Sequence, residues 1–193
     1  ALLKAGERSS LRNAVQQVPG VQWDERGHGG SARVGIRGSL QRAPFGVRGL
    51  KVYWGPFPLT LADGSTPLEL VDPLITGSVD VVRSVGSPAY GSAPSGLLLA
   101  APPWRNAAGS DLALSATGGS YGFFRLEARA RTTDPHHRLS VGLLRQRNDG
   151  YRAQESSARD QAFIASSWNM AHGVTRVFVT WQQATWALPR SLD

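Results

Sequence analysis

Cysteine is absent from this sequence of 193 residues, which excludes disulfide bonds and thiolate metal sites. No apolar run reaches the length of about 18 residues that a membrane-spanning helix needs. Lysine occurs only at Lys4 and Lys51, so arginine supplies almost all of the basic charge. Lys and Arg number 21 against 14 Asp and Glu, a formal net charge of +7. Because the arginines are scattered, whereas nucleic-acid binding needs a clustered basic surface, we predict no nucleic-acid partner.

Patterns that carry catalytic or metal chemistry are missing as well. The histidines, whose spacing forms no metal site, are His28, His136, His137 and His172. His28-Gly29-Gly30 has the form of part of an oxyanion-hole motif, but no Gly-x-Ser-x-Gly nucleophile elbow accompanies it. The Gly-rich stretch 86–96 lacks the Gly-Lys-Ser/Thr of a phosphate loop. We therefore predict no catalytic residue, no metal site and no cofactor, and a protein that is not an enzyme.

Residues 1–104 have the pattern of a small α+β domain. A helix is predicted over 9–18, where apolar residues form one stripe and Pro19-Gly20 ends the pattern. A polar, Gly-rich loop follows at 24–31. Short runs rich in Val, Tyr and Trp predict the strands, which are 33–36, 50–54, 78–83 and 95–100. The segment Thr66-Pro67-Leu68-Glu69 has the spacing of a helix capping box.

Residues 105–193 show a different pattern, an alternation of apolar and polar side chains. The segments that alternate are 111–117, 123–131, 138–147, 160–170 and 174–183. This period is typical of transmembrane β-barrel strands, and equally of a soluble antiparallel sheet with one wet face. Segment length favours the membrane, because about nine to eleven residues match a tilted crossing whereas soluble strands centre on about five or six.

The ends of the sequence suggest a fragment. Closed membrane barrels need about eight strands or more, and an open sheet edge cannot lie in lipid because its backbone groups would be unpaired. We therefore expect the barrel to be truncated here, with further strands beyond Asp193. The start at Ala1, without Met or a signal peptide, indicates that the natural N-terminus lies upstream.

Several short motifs follow one another in a fixed order in the first part of the chain. They are Val18-Pro19-Gly20-Val21, Ile36-Arg37-Gly38, Tyr53-Trp54-Gly55-Pro56-Phe57-Pro58-Leu59, Asp80-Val81-Val82-Arg83-Ser84, Ala89-Tyr90-Gly91 and Ser95-Gly96. In order and spacing they resemble the plug domain of a TonB-dependent outer-membrane receptor, and Asp149-Gly150-Tyr151-Arg152 resembles that family's second extracellular loop. The resemblance implies a plug domain at 1–104 followed by the N-terminal part of a β-barrel at 105–193. Gly55-Pro56 departs from the family pattern, so the turn there is expected to differ in type, and Ser84 stands where the family has a glycine.

The resemblance also implies roles for individual residues. Arg37 and Arg83 match arginines that pair with carboxylates on the barrel wall, whereas the residues alone favour exposed arginines at strand ends. The turn positions of the plug motifs are Gly20, Gly38, Pro58, Tyr90, Gly91 and Gly96. The loops 39–47, 60–66 and 86–92 would face the ligand. Candidate ligand contacts in these loops and beside them are Arg42, Arg48, Asp63 and Ser65.

The function implied by the resemblance is nutrient uptake across the outer membrane of a Gram-negative bacterium. The cargo would be a ferric siderophore, ferric citrate or a similar nutrient, and the plug would gate the barrel. The partners would be the TonB complex, acting through an upstream segment, and outer-membrane lipid. Lumen-facing arginines suggest an anionic cargo, or else pair with the plug; they are Arg125, Arg129, Arg145 and Arg147. Trp168 and Trp181 suit a membrane-interface belt or an ordinary core. The alternative is a soluble periplasmic or surface ligand-binding module, also non-enzymatic.

Overall fold

The structure, a computed structural model, describes residues 10–25, 32–38, 49–83, 90–91, 93, 95–104, 107–152 and 154–187. The chain divides into two compact units, Ala1–Pro102 and Pro103–Asp193. The described elements of the first unit are helix Arg12–Gln16 (α1), strands Val21–Glu25 (β1), Ala32–Ile36 (β2), Leu50–Trp54 (β3) and Phe57–Pro58 (β4), a 3₁₀ helix at Leu68–Leu70, and strands Ser78–Val82 (β5) and Gly96–Ala101 (β6).

Helix α1 turns one apolar stripe inward. Leu11, Ala14 and Val15 are buried at the i, i+3, i+4 spacing that lines one side of a helix. The Arg12 amide donates to the Ser10 hydroxyl oxygen over 3.0 Å, which satisfies one of the amides that a helix start leaves unpaired. The helix is shorter than the predicted span 9–18. Among the described residues, no helix is long and apolar enough to cross a membrane.

Strands β1 and β2 form an antiparallel hairpin that runs from the pair Val21–Ile36 to the pair Glu25–Ala32. Trp23 on β1 is buried opposite Val34, while Gln22 and Asp24 point the other way and are exposed. The predicted loop 24–31 is therefore wrong at its start, because the strand continues through Glu25.

A four-stranded mixed sheet, in the order β4-β3-β6-β5, forms the rest of the first unit. Strand β3 pairs with β6 in parallel, and the β3–β4 and β5–β6 pairs are antiparallel. The strands predicted at 50–54, 78–83 and 95–100 are confirmed to within a residue or so at each end. The mixed sheet with short helices also confirms the predicted α+β class.

The core of this unit lies on both central strands. Leu50 and Val52 of β3 and Leu97 and Leu98 of β6 are at most 1% exposed. Burial of each such side chain contributes about 1.5–3 kcal/mol. Trp54 is also buried, and its indole Nε1 donates to the Ile75 carbonyl over 3.1 Å, so its polar atom is satisfied inside the core.

The predicted capping box at Thr66–Glu69 is wrong. The 3₁₀ helix starts after Pro67 without a side-chain cap. The Thr66 hydroxyl instead shares a hydrogen bond of 2.8 Å with the Thr60 hydroxyl, and Thr60 Oγ1 accepts the Val52 amide over 3.1 Å. Thr66 therefore closes the loop 60–66 onto β3, because a second hydroxyl offers a better partner than the start of a very short helix.

The second unit is one antiparallel sheet of five strands in the order β11-β10-β9-β8-β7. The strands are Gly109–Gly118 (β7), Phe124–Thr133 (β8), His137–Asn148 (β9), Ser157–Met170 (β10) and Gly173–Trp186 (β11). Each predicted alternating segment is confirmed as a strand, with lengths between 10 and 14 residues. The predicted fold class, an α+β plug followed by antiparallel strands, is thereby confirmed.

The two faces of this sheet differ in chemistry. Residues directly opposite one another in an antiparallel pair share a face. The register therefore places eight large apolar side chains, exposed between 44% and 71%, on one side, which we call the apolar face; they are Leu112, Leu114, Leu126, Leu143, Ile164, Val177, Val179 and Trp181. The other side, the polar face, carries Arg125, Glu127, Arg129, Gln146, Arg159 and Gln161.

Candidate functional site

The candidate site of the first unit is built around the turn after α1. The Val21 amide donates to the Val18 carbonyl over 3.2 Å, with Pro19 and Gly20 between them. Gly20 has φ +80°, which only glycine adopts without strain, and Pro before Gly is the signature of a type II turn. The motif glycine predicted at this position is thus a turn residue.

Arg37 follows β2 and meets this turn through its backbone. Its amide donates to the Gly20 carbonyl over 2.9 Å. Arg37 has φ 53°, and the motif glycine after it, Gly38, has φ 78°. A left-handed arginine costs free energy that glycine would not, and residues held this way cluster at functional sites.

Arg83 reaches the same turn from the end of β5. Its Nη1 donates to the Pro19 carbonyl over 3.0 Å. The structure therefore brings Arg37 and Arg83 together on one exposed turn, although 45 residues or more separate them along the chain. Within the described part of the chain neither guanidinium has an ion-pair partner. Both guanidinium groups are exposed and always charged. A guanidinium can bind a carboxylate through two parallel hydrogen bonds, which is the chemistry that the resemblance implied.

A second group of motif residues lies where β3 contacts Tyr90 and Gly91. Lys51 Nζ donates to the Tyr90 carbonyl over 2.9 Å, and the rings of Tyr53 and Tyr90 meet edge to face with centroids 5.3 Å apart. Gly91 has φ +67°, and a Cβ added there would lie 3.0 Å from Lys51 Nζ. Sequence reasoning did not single out Lys51; its only signal was that it is one of two lysines.

Gly96 has the tightest surroundings of the motif glycines. It has φ +127°, and a Cβ there would lie 2.5 Å from the Val82 carbonyl oxygen and 3.0 Å from Ile36 Cδ1. Strands β5 and β6 can therefore pair at this point only because residue 96 has no side chain.

Two of the four candidate ligand contacts lie in the described loop 60–66. Asp63 Oδ1 accepts the Ser65 amide over 3.0 Å and the Ser65 hydroxyl over 2.7 Å. The two side chains thus fix each other in an Asx turn. Pro58, the motif residue of β4, is exposed opposite Tyr53. Arg42 and Arg48 lie outside the described residues.

The polar face of the second unit holds a buried network. Arg125, 2% exposed, forms an ion pair with Glu127. Gln146 Oε1 accepts Arg125 Nη1 over 2.7 Å and Arg159 Nη2 over 3.5 Å. A buried charge is tolerated only when it is paired and hydrogen-bonded, and Glu127 and Gln146 meet both conditions for Arg125.

The prediction that Arg145 and Arg147 share a face with Arg125 and Arg129 is wrong. The register sets Arg145 opposite Leu126 and Arg147 opposite Phe124, so both lie on the side of the apolar face. Because Leu143 and Leu144 are adjacent, the sequence allowed either of them to lie on the apolar face. The register places Leu143 there, and with it Arg145 and Arg147.

Two of the histidines lie between β8 and β9, His136 in the connection and His137 as the first residue of β9. Asp134 Oδ1 accepts the His136 amide over 2.9 Å and the His137 amide over 2.7 Å. These backbone hydrogen bonds lower the pKa of Asp134. His137 also stacks on Trp168 with ring centroids 5.2 Å apart. Over the described residues, no group of three or more His, Cys, Asp or Glu is placed to hold a metal ion.

The chain is similar to known proteins in family and in fold. The family model described as TonB-dependent Receptor Plug Domain matches residues 1–97. The chain is similar to the solved copper transporter OprC, with 17% identity and a TM-score of 0.72, over 92% of this chain and 28% of that one. It is also similar to the pyoverdine outer membrane receptor FpvA from Pseudomonas aeruginosa PAO1, solved bound to pyoverdine, with 11% identity and a TM-score of 0.66 over 92% of this chain and 26% of that one. At such identities the structures show a shared fold, and the chain spans little more than a quarter of their length.

Proposed function

Because the chain belongs to the TonB-dependent receptor plug-domain family and is therefore part of an outer-membrane receptor, we propose that it gates the uptake of a ferric chelate or a similar scarce nutrient. The activity proposed is energised transport and not catalysis. The receptor would bind its cargo outside the cell, and the TonB complex would rearrange the plug to admit it.

The observation that carries the proposal is the order of the two units along the chain. A mixed-sheet plug precedes a sheet whose apolar face exposes Leu112 and Leu114 by 70% and 71%. Large exposed apolar patches are rare on soluble monomers and are normal for strands in lipid. Paired charges occupy the opposite face, as the lumen side of a barrel requires. This arrangement supports a receptor over a soluble binding module.

Arg37 and Arg83 are proposed as the contacts between plug and barrel wall. Both are exposed and lie on the Pro19-Gly20 turn, so one movement of that turn displaces both. Their partners would be carboxylates of the wall, since guanidinium and carboxylate form the strongest two-point ionic contact available to side chains. Release of these contacts would accompany opening of the gate.

The cargo is proposed to be an anionic ferric chelate, a siderophore or ferric citrate. The two solved structures differ in this respect, since OprC is a copper transporter and FpvA is a pyoverdine receptor. Soft thiolate and thioether ligands select copper(I), and this chain has no Cys and one Met. Its excess of arginine suits oxygen-rich anions instead. The proposed ligand contacts, in or beside the loops that would face the ligand, are Asp63, Ser65, Arg42 and Arg48.

The cargo can be tested by growth of a strain that lacks the gene. We expect the deletion to abolish growth on one ferric chelate as sole iron source and to leave ferrous iron uptake unchanged. Complementation with the complete gene should restore growth, and a gene carrying Arg37→Ala with Arg83→Ala should restore it poorly. Arg33→Gln, which removes a surface charge paired with Asp24 over 3.5 Å, is the matched control. Normal growth on every ferric chelate, with altered copper accumulation, would favour a copper cargo.

The membrane assignment is tested separately by fractionation. The protein expressed from its complete gene should sediment with outer membranes, require detergent for extraction and migrate differently on gels before and after heating. A protein that stays in the aqueous phase without detergent, with no heat-dependent shift, would support the soluble binding module instead.

A further inference from the structure

A cationic cluster lies where the apolar face ends. Arg145 on β9 stands opposite Asp160 on β10, and Arg147 stands opposite Ala158 on β10 and Phe124 on β8. All of these residues share the side of the sheet that carries Leu143 and Ile164. Two guanidinium groups and one carboxylate therefore project from a lipid-type surface, where unpaired charge is costly unless it meets a headgroup.

The cluster keeps donors for an outside partner. Arg145 Nε and Arg147 Nη2 each lie 3.9 Å from an oxygen of Asp160, which is too long for a hydrogen bond. In the described ranges, neither guanidinium donates a hydrogen bond to another group. The two side chains are 60% and 47% exposed. With one carboxylate between two arginines, the cluster attracts an anion, and the guanidinium fork matches the oxygens of a phosphate.

An apolar groove of about 410 Å³ adjoins the cluster on the same side of the sheet. Ala128, Leu143, Ala162 and Trp181 stand in one row across β8 to β11 and line it. The neighbouring row toward the strand ends contains Arg145 and Asp160. Successive residues on one face of a strand are about 7 Å apart, so charge and groove lie within the length of one amphiphilic molecule.

The connections between strands indicate the side of the membrane. The cluster lies toward the longer connections, 119–123 and 149–156, and the shorter ones, 134–136 and 171–172, lie at the other end. Membrane barrels have short periplasmic turns and longer extracellular loops, which places the cluster at the outer surface. From Asp160 to Trp168 on the same face, β10 rises roughly 27 Å, and a tilted strand of that length spans a bilayer core.

We propose that Arg145 and Arg147 bind the phosphate of an outer-leaflet lipid whose acyl chain lies in the groove lined by Ala128, Leu143, Ala162 and Trp181. The proposal rests on the proposed function, because it requires these strands to cross the outer membrane. The occupant is a lipid and not a free anion, since the groove continues directly from the charges. Asp160 lies between the two arginines, 3.9 Å from one nitrogen of each, and the phosphate would complete their pairing.

The test uses the receptor expressed from its complete gene and purified in detergent. The probe is lipid A with its phosphates, compared with dephosphorylated lipid A and with inorganic phosphate, and binding is measured by native mass spectrometry and by the thermal midpoint. We expect lipid A to bind and to raise the midpoint of the wild type. Arg145→Gln with Arg147→Gln should weaken this binding about tenfold or more, because the charge-assisted hydrogen bonds from both guanidinium groups to the phosphate are lost.

Further variants separate the parts of the site. Arg176→Gln removes the same charge from the polar face of β11 and should leave lipid binding unchanged. Arg145→Lys with Arg147→Lys keeps the positive charge but loses the two-point contact of a guanidinium, so this variant should bind lipid A at an intermediate level. Ala162→Leu narrows the groove and should weaken binding of lipid A severalfold while binding of inorganic phosphate stays as in the wild type.

Several results would overturn the proposal. Equal lipid A binding by wild type and the double glutamine variant, in a protein that sediments with outer membranes and shows the heat-dependent gel shift, rejects the lipid site alone. Equal binding of dephosphorylated lipid A, or concentration-dependent pairing of receptors lost in Val179→Lys, would assign the groove to another occupant. Recovery of the wild type in the aqueous phase would instead reject the membrane assignment and the lipid site with it.

Discussion

Among the described motif glycines, Gly96 has the least space for an added side chain. A side chain there meets both the Val82 carbonyl oxygen at 2.5 Å and a left-handed backbone at φ +127°. We expect Gly96→Ala to destabilise the first unit by roughly 2–4 kcal/mol, because backbone strain and a clash with a strand carbonyl add. The thermal unfolding midpoint of the purified receptor measures the loss.

Gly64 supplies the control for that substitution. It also has a positive φ, +80°, but nothing lies within 4 Å of an added Cβ. Gly64→Ala should therefore cost only the backbone term, about 1 kcal/mol. Equal losses for Gly96→Ala and Gly64→Ala would mean that the close approach of β5 to residue 96 contributes nothing.

Arg37 combines a strained backbone with an exposed charge. One substitution distinguishes the effect of the strain on stability from the effect of the charge on uptake. Arg37→Gly relieves a left-handed conformation that costs a non-glycine residue about 1 kcal/mol. We expect an unchanged or higher unfolding midpoint together with a severalfold loss of chelate-dependent growth. If growth is retained, the guanidinium has no part in uptake, and a lowered midpoint would mean that the side chain supports the fold instead.

The positions of the motif arginines and glycines could be predicted from the sequence because they sit in short ordered motifs. Their common meeting point at Pro19 and Gly20 could not, since Arg83 reaches it through a contact far apart in the chain. The side of the sheet occupied by Arg145 and Arg147 was predicted wrongly. An arginine in a strand reads as lumen-facing, but where a strand extends beyond the lipid its outer face also becomes polar.

At the scale of the strand, the faces of β11 provide a direct comparison. Val179 and Thr180 are adjacent in sequence, both exposed, and on opposite faces of the sheet. Val179→Lys places a charge in the middle of the apolar face and should cost about 2–4 kcal/mol. Its expected result is a sharply reduced amount of receptor in outer-membrane fractions.

Thr180→Lys adds the same charge to the polar face. We expect outer-membrane levels close to those of the wild type. Comparable losses from the two substitutions, measured by immunoblot of the fractions, would argue against lipid contact on the apolar face.

Acid should weaken the contribution that Asp134, in the connection between β8 and β9, makes to stability. Hydrogen bonds from the His136 and His137 amides lower the pKa of Asp134, so its contribution to stability is present at neutral pH and is lost as the pH falls through that lowered pKa. Asp134→Asn keeps an acceptor oxygen without the charge. We expect a slightly lower unfolding midpoint than the wild type at neutral pH, and a difference that disappears in acid. Parallel midpoint curves across the acid range would show that the carboxylate charge is not involved.

Regular alternation made the strands of the second unit predictable, whereas short elements of the first unit were not. Strand β1 has one apolar aromatic residue, Trp23, between polar neighbours, and its pairing depends on β2. Thr66 had the right neighbours for a helix cap, but the loop places the Thr60 hydroxyl within 2.8 Å of it. Local sequence signals fail where a tertiary contact offers a polar group a better partner.

For the molecule as a whole, the two units should behave differently when separated. Residues 105–193 alone should aggregate in aqueous buffer, because the sheet has an exposed apolar face and open edges. Most of the described large apolar side chains of residues 1–104 are buried, among them Leu50, Trp54 and Leu97, and this segment should remain soluble. Size-exclusion chromatography compares the two, and a monodisperse segment 105–193 would contradict the membrane assignment.

The hairpin of β1 and β2 determines how the plug would respond to traction from its N-terminal side. Tension reaches the hairpin at Val21, whose partner Ile36 leads on toward the rest of the unit. Pulled apart from that end, the hairpin opens one pair at a time: the Arg37–Gly20 hydrogen bond and the Val21–Ile36 pair separate first, and the Glu25–Ala32 pair separates last. Strand β3, held between β4 and β6, would share a lengthwise load among its bonds on both edges. Strands β1 and β2 would therefore separate under a force too small to disturb the four-stranded sheet.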